Sequence, residues 1–464
     1  MHEKKILKAT AWYTISSFLM KGIGLITIPI FTRLLTKSEY GSYSNFQAWL
    51  SIISIIATLS LIASLNRARF DFSENLESYI LSNLILGSLS TIVVFSTILL
   101  NRRFFCDIFQ MDTKYLLIMS GYLLVSPAYD MFLALQRYQY KYVITAILTV
   151  AIAVSSIGLS LLFIQVLEDH LWARVLGSTL PTILASIFIY FKFIFAGKKI
   201  HIVYWKYSLP ICLPYIVHLL SGTVLNSSDR TMITNMCGNE SNALYSLAYN
   251  IAMIVNIIWG AMNNAYSPWL GEKLNSKEYK EIYKTQYIYI GIYAIIIIGA
   301  MLVGPELLLI FGGKSYLEAI NVIPPVVLGC FFIAIYTLYV NIEIYEKKTI
   351  GMACATVIAA FFNLVTNAYF IPKFGYIAAA YTTLIGYIIL YLIHYWLVRK
   401  IGLHICYNSK FITLMVICMI IIMIIILTLY QYDIARYILM GIYLGTLVFG
   451  VLKKRKFIRA VWRQ

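Results

Sequence analysis

The sequence predicts an all-α polytopic membrane protein of about 14 transmembrane helices, on three observations. Of 464 residues, 61% are hydrophobic and 12% charged, far from the usage of soluble domains. Apolar runs of about 20 residues, the length needed to cross roughly 30 Å of hydrocarbon, recur along the whole chain. Lysine and arginine then alternate between the polar breaks, as cytoplasmic and outward loops demand.

The first run, about residues 12–32, follows Lys4, Lys5 and Lys8 and holds Lys21 near its middle. No small-x-small cleavage site follows, so it reads as an uncleaved span rather than a signal peptide. Runs at about 43–65 and 79–100 flank Arg67 and Arg69, and runs at about 115–136 and 142–164 flank Arg137 and Lys141. Lys198, Lys199 and Lys206 separate the runs at about 172–195 and 208–228. Next come about 243–267, the lysine-rich turn from Lys273 to Lys284, about 286–311 and about 320–341. Lys347 and Lys348 precede about 350–371, which leads to about 376–397. Arg399, Lys400 and Lys410 precede about 411–430, and about 434–452 runs into a tail holding Lys453 to Arg463. With the N-terminus inside, 26 of the 37 bases fall on cytoplasmic segments and nine outside, leaving Lys21 and Arg174 within spans. Both termini are therefore expected in the cytoplasm. The net charge of +17 needs no nucleic acid, because these bases meet anionic lipid.

No polar stretch exceeds about 15 residues, which leaves no room for a soluble catalytic domain. His218 and His394 are the histidines within spans, and neither has an acid close by in sequence to make it a base. No Gly-rich phosphate loop is present, so this chain does not drive transport by hydrolysing nucleotide. The seven cysteines are scattered without metal-type spacing, and neither a metal nor a cofactor is expected. A carrier, not an enzyme, is the class that remains.

Counting by three and four along the helices gathers polar groups into stripes. The first span gives Thr10, Thr14, Ser17, Lys21 and Gly24, and the second gives Gln47, Ser51, Ser54 and Thr58. The seventh gives Pro214, His218, Gly222, Asn226 and Asp229, the eighth Tyr249 and Asn256, and the eleventh Asn363 and Asn367. Any one stripe by itself is better explained by tight helix packing with asparagine as interhelical glue. Their place at the start of two halves favours a shared central cavity. Each half opens with a proline-containing helix ending at an arginine, Arg33 or Arg230, and each then carries a Tyr-Ser pair, Tyr43–Ser44 or Tyr245–Ser246. The expected domains are six spans in residues 1–200, six in 201–402, and two further spans with a basic tail in 403–464, a duplicated carrier build.

Longer phrases sharpen this. "PIFTRLLTKSEYGSYS", "YSLPICLPYIVHLLSGTVLNSSDRTMI", "NALYSLAYNIA", "LVGPELLLIFGGKSYLEAINVIPPVVLG" and "YFIPKFGYIAAAYTTLIGY" occur in order along nearly the whole chain. In them the chain resembles the polysaccharide transporters of the multidrug/oligosaccharidyl-lipid/polysaccharide superfamily, the Wzx-type O-antigen flippases. The resemblance implies two six-helix bundles in a V around a central cavity, alternately open to the two sides of the bacterial inner membrane. It implies as substrate an undecaprenyl-pyrophosphate-linked oligosaccharide repeat unit, moved to the outer leaflet for O-antigen, lipopolysaccharide or other surface polysaccharide. It further implies a monomer in the lipid bilayer, with a polysaccharide polymerase and a chain-length regulator as partners.

On this reading Lys21 projects into the cavity and draws in the pyrophosphate; the alternative is that it snorkels to the inner interface. Thr14, Ser17, Gln47, Ser51, His218, Asn226, Tyr249, Asn256 and Asn363 line the rest of the path. Asp229 and Arg230 match the family's "DR" pair and form either a gate, with Arg33 as the first-half equivalent, or an ordinary interfacial ion pair. Asp130 and Glu306 are candidates for H+ or Na+ coupling, although Glu306 also suits a helix cap after the Gly-Pro break. Two departures stand out: Ile377 replaces a usual glycine, and no lysine or arginine lies deep in spans seven to twelve. A cation-coupled drug exporter of the same superfamily is the alternative function, and a membrane enzyme of polysaccharide assembly comes last.

Overall fold

The computed structural model describes residues 22–139, 141–197 and 199–453. Every regular element in that region is helical. In chain order the helices begin with α1 (Gly22–Leu34), α2 (Lys37–Ala57), α3 (Ile62–Asp71), α4 (Leu76–Leu100) and α5 (Arg102–Phe109). There follow α6 (Thr113–Tyr138), α7 (Tyr142–Val166), α8 (His170–Gly197), α9 (Ile202–Cys237) and α10 (Asn239–Ala252). The remainder is α11 (Ile254–Asn275), α12 (Tyr279–Leu302), α13 (Gly304–Gly312), α14 (Ile323–Tyr345), α15 (Thr349–Phe374), α16 (Ile377–Ile401), α17 (Ser409–Leu429) and α18 (Asp433–Lys453).

Among the described residues, 12 helical segments are long and apolar enough to cross a membrane, and they coincide with the second to thirteenth expected spans. The described part of the first is α1, and α18 occupies the place of the fourteenth. Local chemistry explains where helices start. Thr36 and Glu39 form a reciprocal capping box that opens α2: Glu39 N–H donates to the Thr36 hydroxyl at 3.2 Å, and Thr36 N–H to the Glu39 carboxylate at 2.8 Å.

Three expected spans are broken. The run at about 43–65 is interrupted between α2 and α3, where Leu59 and Ser60 have φ of 52° and 46°. A hydroxyl supplies what the helix loses: the Leu59 N–H turns to the Ile56 carbonyl at 3.2 Å, and the Ile55 carbonyl it leaves accepts from the Ser60 hydroxyl at 3.4 Å. The run at about 286–311 divides into α12 and α13 because Pro305 lacks the N–H that would continue the ladder. The run at about 243–267 is interrupted at Met253, between α10 and α11.

Contacts divide the chain into two packing units, one of residues up to Ser246 together with Thr356–Tyr376, the other of Leu247–Ala355 and residues from Ile377 onward. The division cuts through α10 and α15, so these units are different objects from the expected domains. Helix α9, placed by sequence in the second bundle, packs with the first unit, stitched there by side chains. The Trp205 indole donates to the Ser82 carbonyl at 2.7 Å, Tyr207 to Asp71 at 2.7 Å, and the Tyr79 and Ser208 hydroxyls meet at 2.7 Å.

The first unit holds two buried clusters, one around Tyr79, Ala128, Phe132, Phe193 and Tyr204, the other around Phe46, Leu116, Met119 and Val175. In the second unit α14 is apolar all round and buried among α11, α12, α16 and α17. There Arg436 of α18 is 2% exposed and grips Glu306 of α13 with two hydrogen bonds of 2.7 Å.

Candidate functional site

Within the first unit, α2, α4 and α6 enclose a cavity of about 370 Å³. Its polar wall is the predicted stripe of the second span, Gln47, Ser51, Ser54 and Thr58, continued by Ser60, Asn83, Ser126 and Asp130. The α2 hydroxyls donate along their own helix, Ser51 to the Ala48 carbonyl at 2.8 Å and Ser54 to the Ser51 carbonyl at 2.8 Å. Their lone pairs are thus left for the cavity, which suits a guest that donates hydrogen bonds or carries positive charge. The break between α2 and α3 opens onto the same wall through Thr58, Ser60 and Leu61, so non-helical backbone at membrane depth lines a cavity rather than lipid.

Asp130 sits on α6 about two turns before that helix ends at Tyr138. Three residues earlier Pro127, also in the wall, removes a rung of the helix ladder and frees the Leu123 carbonyl. The carboxylate is accessible from the cavity and takes no hydrogen bond or ion pair from any described residue. Among the described lining residues it is the one charged group, and no lysine or arginine joins it.

The other predicted site residues are dispersed. Thr14, Ser17 and Lys21 lie outside the described residues. Gln47 and Ser51 share the cavity with Asp130, and Gln47 donates to the Tyr43 hydroxyl at 2.9 Å. On α9, Leu219 rather than His218 reaches the wall; the His218 ring lies 6.1 Å from that of Tyr215 and its Nδ1 has no partner. Asn226 donates to the Gly222 carbonyl of its own helix at 2.7 Å. Tyr249, buried, and Asn256, half-buried, belong to the second unit.

Asp229 and Asn363 meet in a separate buried cluster. The Asp229 carboxylate accepts from the Tyr245 hydroxyl at 2.5 Å and the Asn367 amide at 2.6 Å, and Asn367 also donates to Asn363 at 3.1 Å. Arg230 is half-buried beside it, and Arg33 is exposed on α1. Next to this cluster the N-terminal turns of α2 and α10 are in contact through backbone. A Cβ on Gly41 would lie 1.8 Å from the Asn239 carbonyl oxygen, so only glycine permits the approach. Asn242 donates to the Gly41 carbonyl at 2.9 Å and to Thr234 at 2.9 Å, Ser246 to Asn242 at 2.8 Å, and Ser44 to Ser246 at 2.7 Å.

Sequence reasoning missed several partners. Asn83 and Ser126 are among them, although Tyr122, Ser126 and Asp130 recur every four residues along α6 and Asn83 and Gly87 do so along α4. Arg174, a base within a span, stacks on Phe31 at 3.6 Å and Tyr43 at 4.6 Å while donating to Ser160. His394, which looks solitary in sequence, has Glu343 at 2.8 Å, both fully buried in the second unit. A separation of 51 positions along the chain conceals the pair. Glu306, bound by Arg436, also accepts from the Tyr437 hydroxyl at 3.0 Å. Among the described residues no group of three or more His, Cys, Asp or Glu side chains is arranged to hold a metal ion.

Residues 6–274 match the model of a family described as polysaccharide biosynthesis protein. The chain is 24% identical over 289 residues to the Lsg locus putative protein 1 of Haemophilus influenzae, which covers 59% of this chain and 68% of that protein. It is also 24% identical over 461 residues to an uncharacterized membrane protein of Methanocaldococcus jannaschii, covering 90% and 88%. Among solved structures, the lipid II flippase MurJ in an inward closed conformation superposes with a TM-score of 0.69 at 16% identity, over 96% of this chain and 99% of that one. A multidrug resistance MATE family transporter of the MOP superfamily, inward-facing, gives a TM-score of 0.61 at 16% identity, over 84% and 97%. The fold is thus that of MOP superfamily transporters.

Proposed function

Because the chain belongs to the polysaccharide biosynthesis protein family, we propose that it is a flippase carrying undecaprenyl-pyrophosphate-linked oligosaccharide from the cytoplasmic to the outer leaflet of a bacterial inner membrane, with both termini in the cytoplasm. The product would enter O-antigen or another surface polysaccharide. The observation that carries the reading is the hydroxyl-walled cavity of the first unit, set in membrane-spanning helices with a broken helix and the Asp130 carboxylate on its wall. A glycan and a pyrophosphate would each cost many kcal/mol to move through hydrocarbon, and acceptor and hydroxyl groups along the path offset that cost for the sugar. Lys21 is the proposed handle for the pyrophosphate, since the described wall offers no cation.

Asp130 is the proposed coupling group: H+ or Na+ neutralises it in one state of an alternating-access cycle and leaves in the other. The contact of α2 with α10 is the proposed outer seal, with Arg33, Asp229 and Arg230 around it. In the cycle the protein acts as a monomer, delivering repeat units to a polymerase and chain-length regulator. The acidic wall also favours a second reading, export of a cationic molecule by the same cycle.

The test is transport in vesicles holding the purified protein, under an imposed proton or sodium gradient. Movement of lipid-linked oligosaccharide by the wild type and its loss in Lys21→Met is the expected result. Movement of a lipophilic cation with none of the oligosaccharide would establish the second reading instead.

A further inference from the structure

A different cavity lies in the second unit, on the side that the lysine and arginine distribution assigns to the cytoplasm. Its walls are the C-terminal turn of α14, the first turn of α15 and the last turn of α16, and it measures about 750 Å³. Lys347, Lys348 and Lys400 surround it, with Glu343 and Glu346 among the same lining residues. Among the described residues none of these three lysines makes an ion pair. Two of them are placed by a tight turn: Lys347 has φ of 57°, and Lys348 N–H donates to the Glu343 carbonyl at 2.8 Å. Lys400 is oriented by the Trp396 ring, 3.6 Å from its Nζ.

The floor is unusual. Glu343 is fully buried; one carboxylate oxygen meets His394 Nδ1 at 2.8 Å, and the other has no partner. A buried acceptor left unmade costs about 1–3 kcal/mol, so a donor supplied from outside would be welcome there. The lining residue Ile350 is 81% exposed, and next in sequence to the lining residues Glu343 and Leu397 stand Ile344 and Trp396, 54% and 52% exposed, on helices long and apolar enough to cross a membrane. Tryptophan at that level is characteristic of the bilayer interface.

Cations without an ion pair, a carboxylate seeking a donor and exposed apolar side chains beside them describe one class of guest. We propose that this cavity binds the head group of an anionic glycerophospholipid, its phosphate held by Lys347, Lys348 and Lys400 and its free hydroxyls directed to the carboxylates. Basic pockets between membrane helices on the cytoplasmic side are suited to such head groups. A soluble phosphate would satisfy the lysines equally but would gain nothing from Ile344, Ile350 and Trp396. The site is independent of what the first unit carries.

Native mass spectrometry of the full chain in neutral detergent tests this, titrating phosphatidylglycerol, phosphatidylcholine and glycerol 1-phosphate separately. Saturable binding of phosphatidylglycerol alone is expected, weakened roughly fivefold for each lysine removed in K347Q/K348Q/K400Q. The control K277Q/K280Q/K284Q, which removes three lysines from another turn on the same side, is expected to bind as the wild type does. Equal binding by K347Q/K348Q/K400Q and the wild type, or an equal loss in the control, would overturn the site. Glycerol 1-phosphate binding as tightly as phosphatidylglycerol would overturn the lipid as its source.

Discussion

The Ser44 hydroxyl donates to the Ser246 hydroxyl at 2.7 Å, joining two buried positions 202 residues apart. These are the serines of the two Tyr-Ser pairs, Tyr43–Ser44 and Tyr245–Ser246, that open corresponding helices in the two halves of the sequence. Their tyrosines diverge: Tyr43 takes a bond from Gln47 at the cavity, and Tyr245 gives one to Asp229. If the contact of α2 with α10 must part during transport, fixing it should stop the cycle. In S44C/S246C, oxidation is expected to join the two thiols and abolish transport, with recovery on reduction. The bridged peptide is identified by mass spectrometry, and full transport by the oxidised protein would exclude this contact as a moving seal.

Gly41→Ala should weaken the same contact by another route. Its new methyl would meet the Asn239 carbonyl carbon at 2.7 Å and its oxygen closer still, and backbone cannot swing aside as a side chain does. The helices must separate, and the bond from Asn242 to the Gly41 carbonyl goes with them, at a cost of about 1–3 kcal/mol. Faster hydrogen exchange at the start of α2 and α10 is the expected signature; unchanged protection there would refute the close approach.

Asp130→Asn removes the charge from the cavity wall while keeping its shape. Folding should be unaffected, because no described side chain depends on that carboxylate. Transport driven by an ion gradient is expected to fall at least about tenfold, with downhill movement retained. A variant that still concentrates substrate against a gradient would remove Asp130 from coupling.

Arg436→Met breaks a bidentate pair and strands Glu306, whose side chain is 30% exposed. A wholly buried pair loses about 3–5 kcal/mol when one partner goes, and the exposure of Glu306 brings the expected cost to about 2 kcal/mol. Pairing the change with Glu306→Gln should recover part of it. Thermal unfolding of the two variants beside the wild type gives the comparison, and equal losses would show that the ion pair adds nothing to packing.

Lys114 and Asp169 form a half-exposed pair at 2.5 Å, and the Asp169 carboxylate also accepts from Trp172 N–H at 2.8 Å as α8 begins. Partial burial pushes this carboxyl upward, but the Lys114 ammonium and the Trp172 N–H outweigh it and hold it below its ordinary value. A depressed carboxyl contributes its stability above the unfolded value of about 4 and loses it as pH falls through the folded value. The stability gap between wild type and Asp169→Asn should therefore be flat above about pH 5 and close below pH 4; at this exposure it should not exceed about 1 kcal/mol. A gap that does not narrow as pH falls below 4 would contradict the assignment.

The sequence by itself determined the membrane class, the helix positions and the α2 stripe of Gln47, Ser51, Ser54 and Thr58, because hydrocarbon thickness and helical period act on residues near one another in the chain. It also showed the break at Gly304–Pro305, since proline's missing N–H is a local property. Only the tertiary structure decided that Leu59 and Ser60 would leave the helix, for no glycine or proline stands there and the Ser60 hydroxyl takes up the Ile55 carbonyl that the break leaves. It alone joined Glu343 to His394, Glu306 to Arg436 and Asp229 to Asn367, and divided Asn363 from Gln47. Each of those depends on which helix faces which. In a chain apolar on nearly every face, helical periodicity ranks the faces only weakly, and the choice falls to packing and to the few polar groups that must find one another.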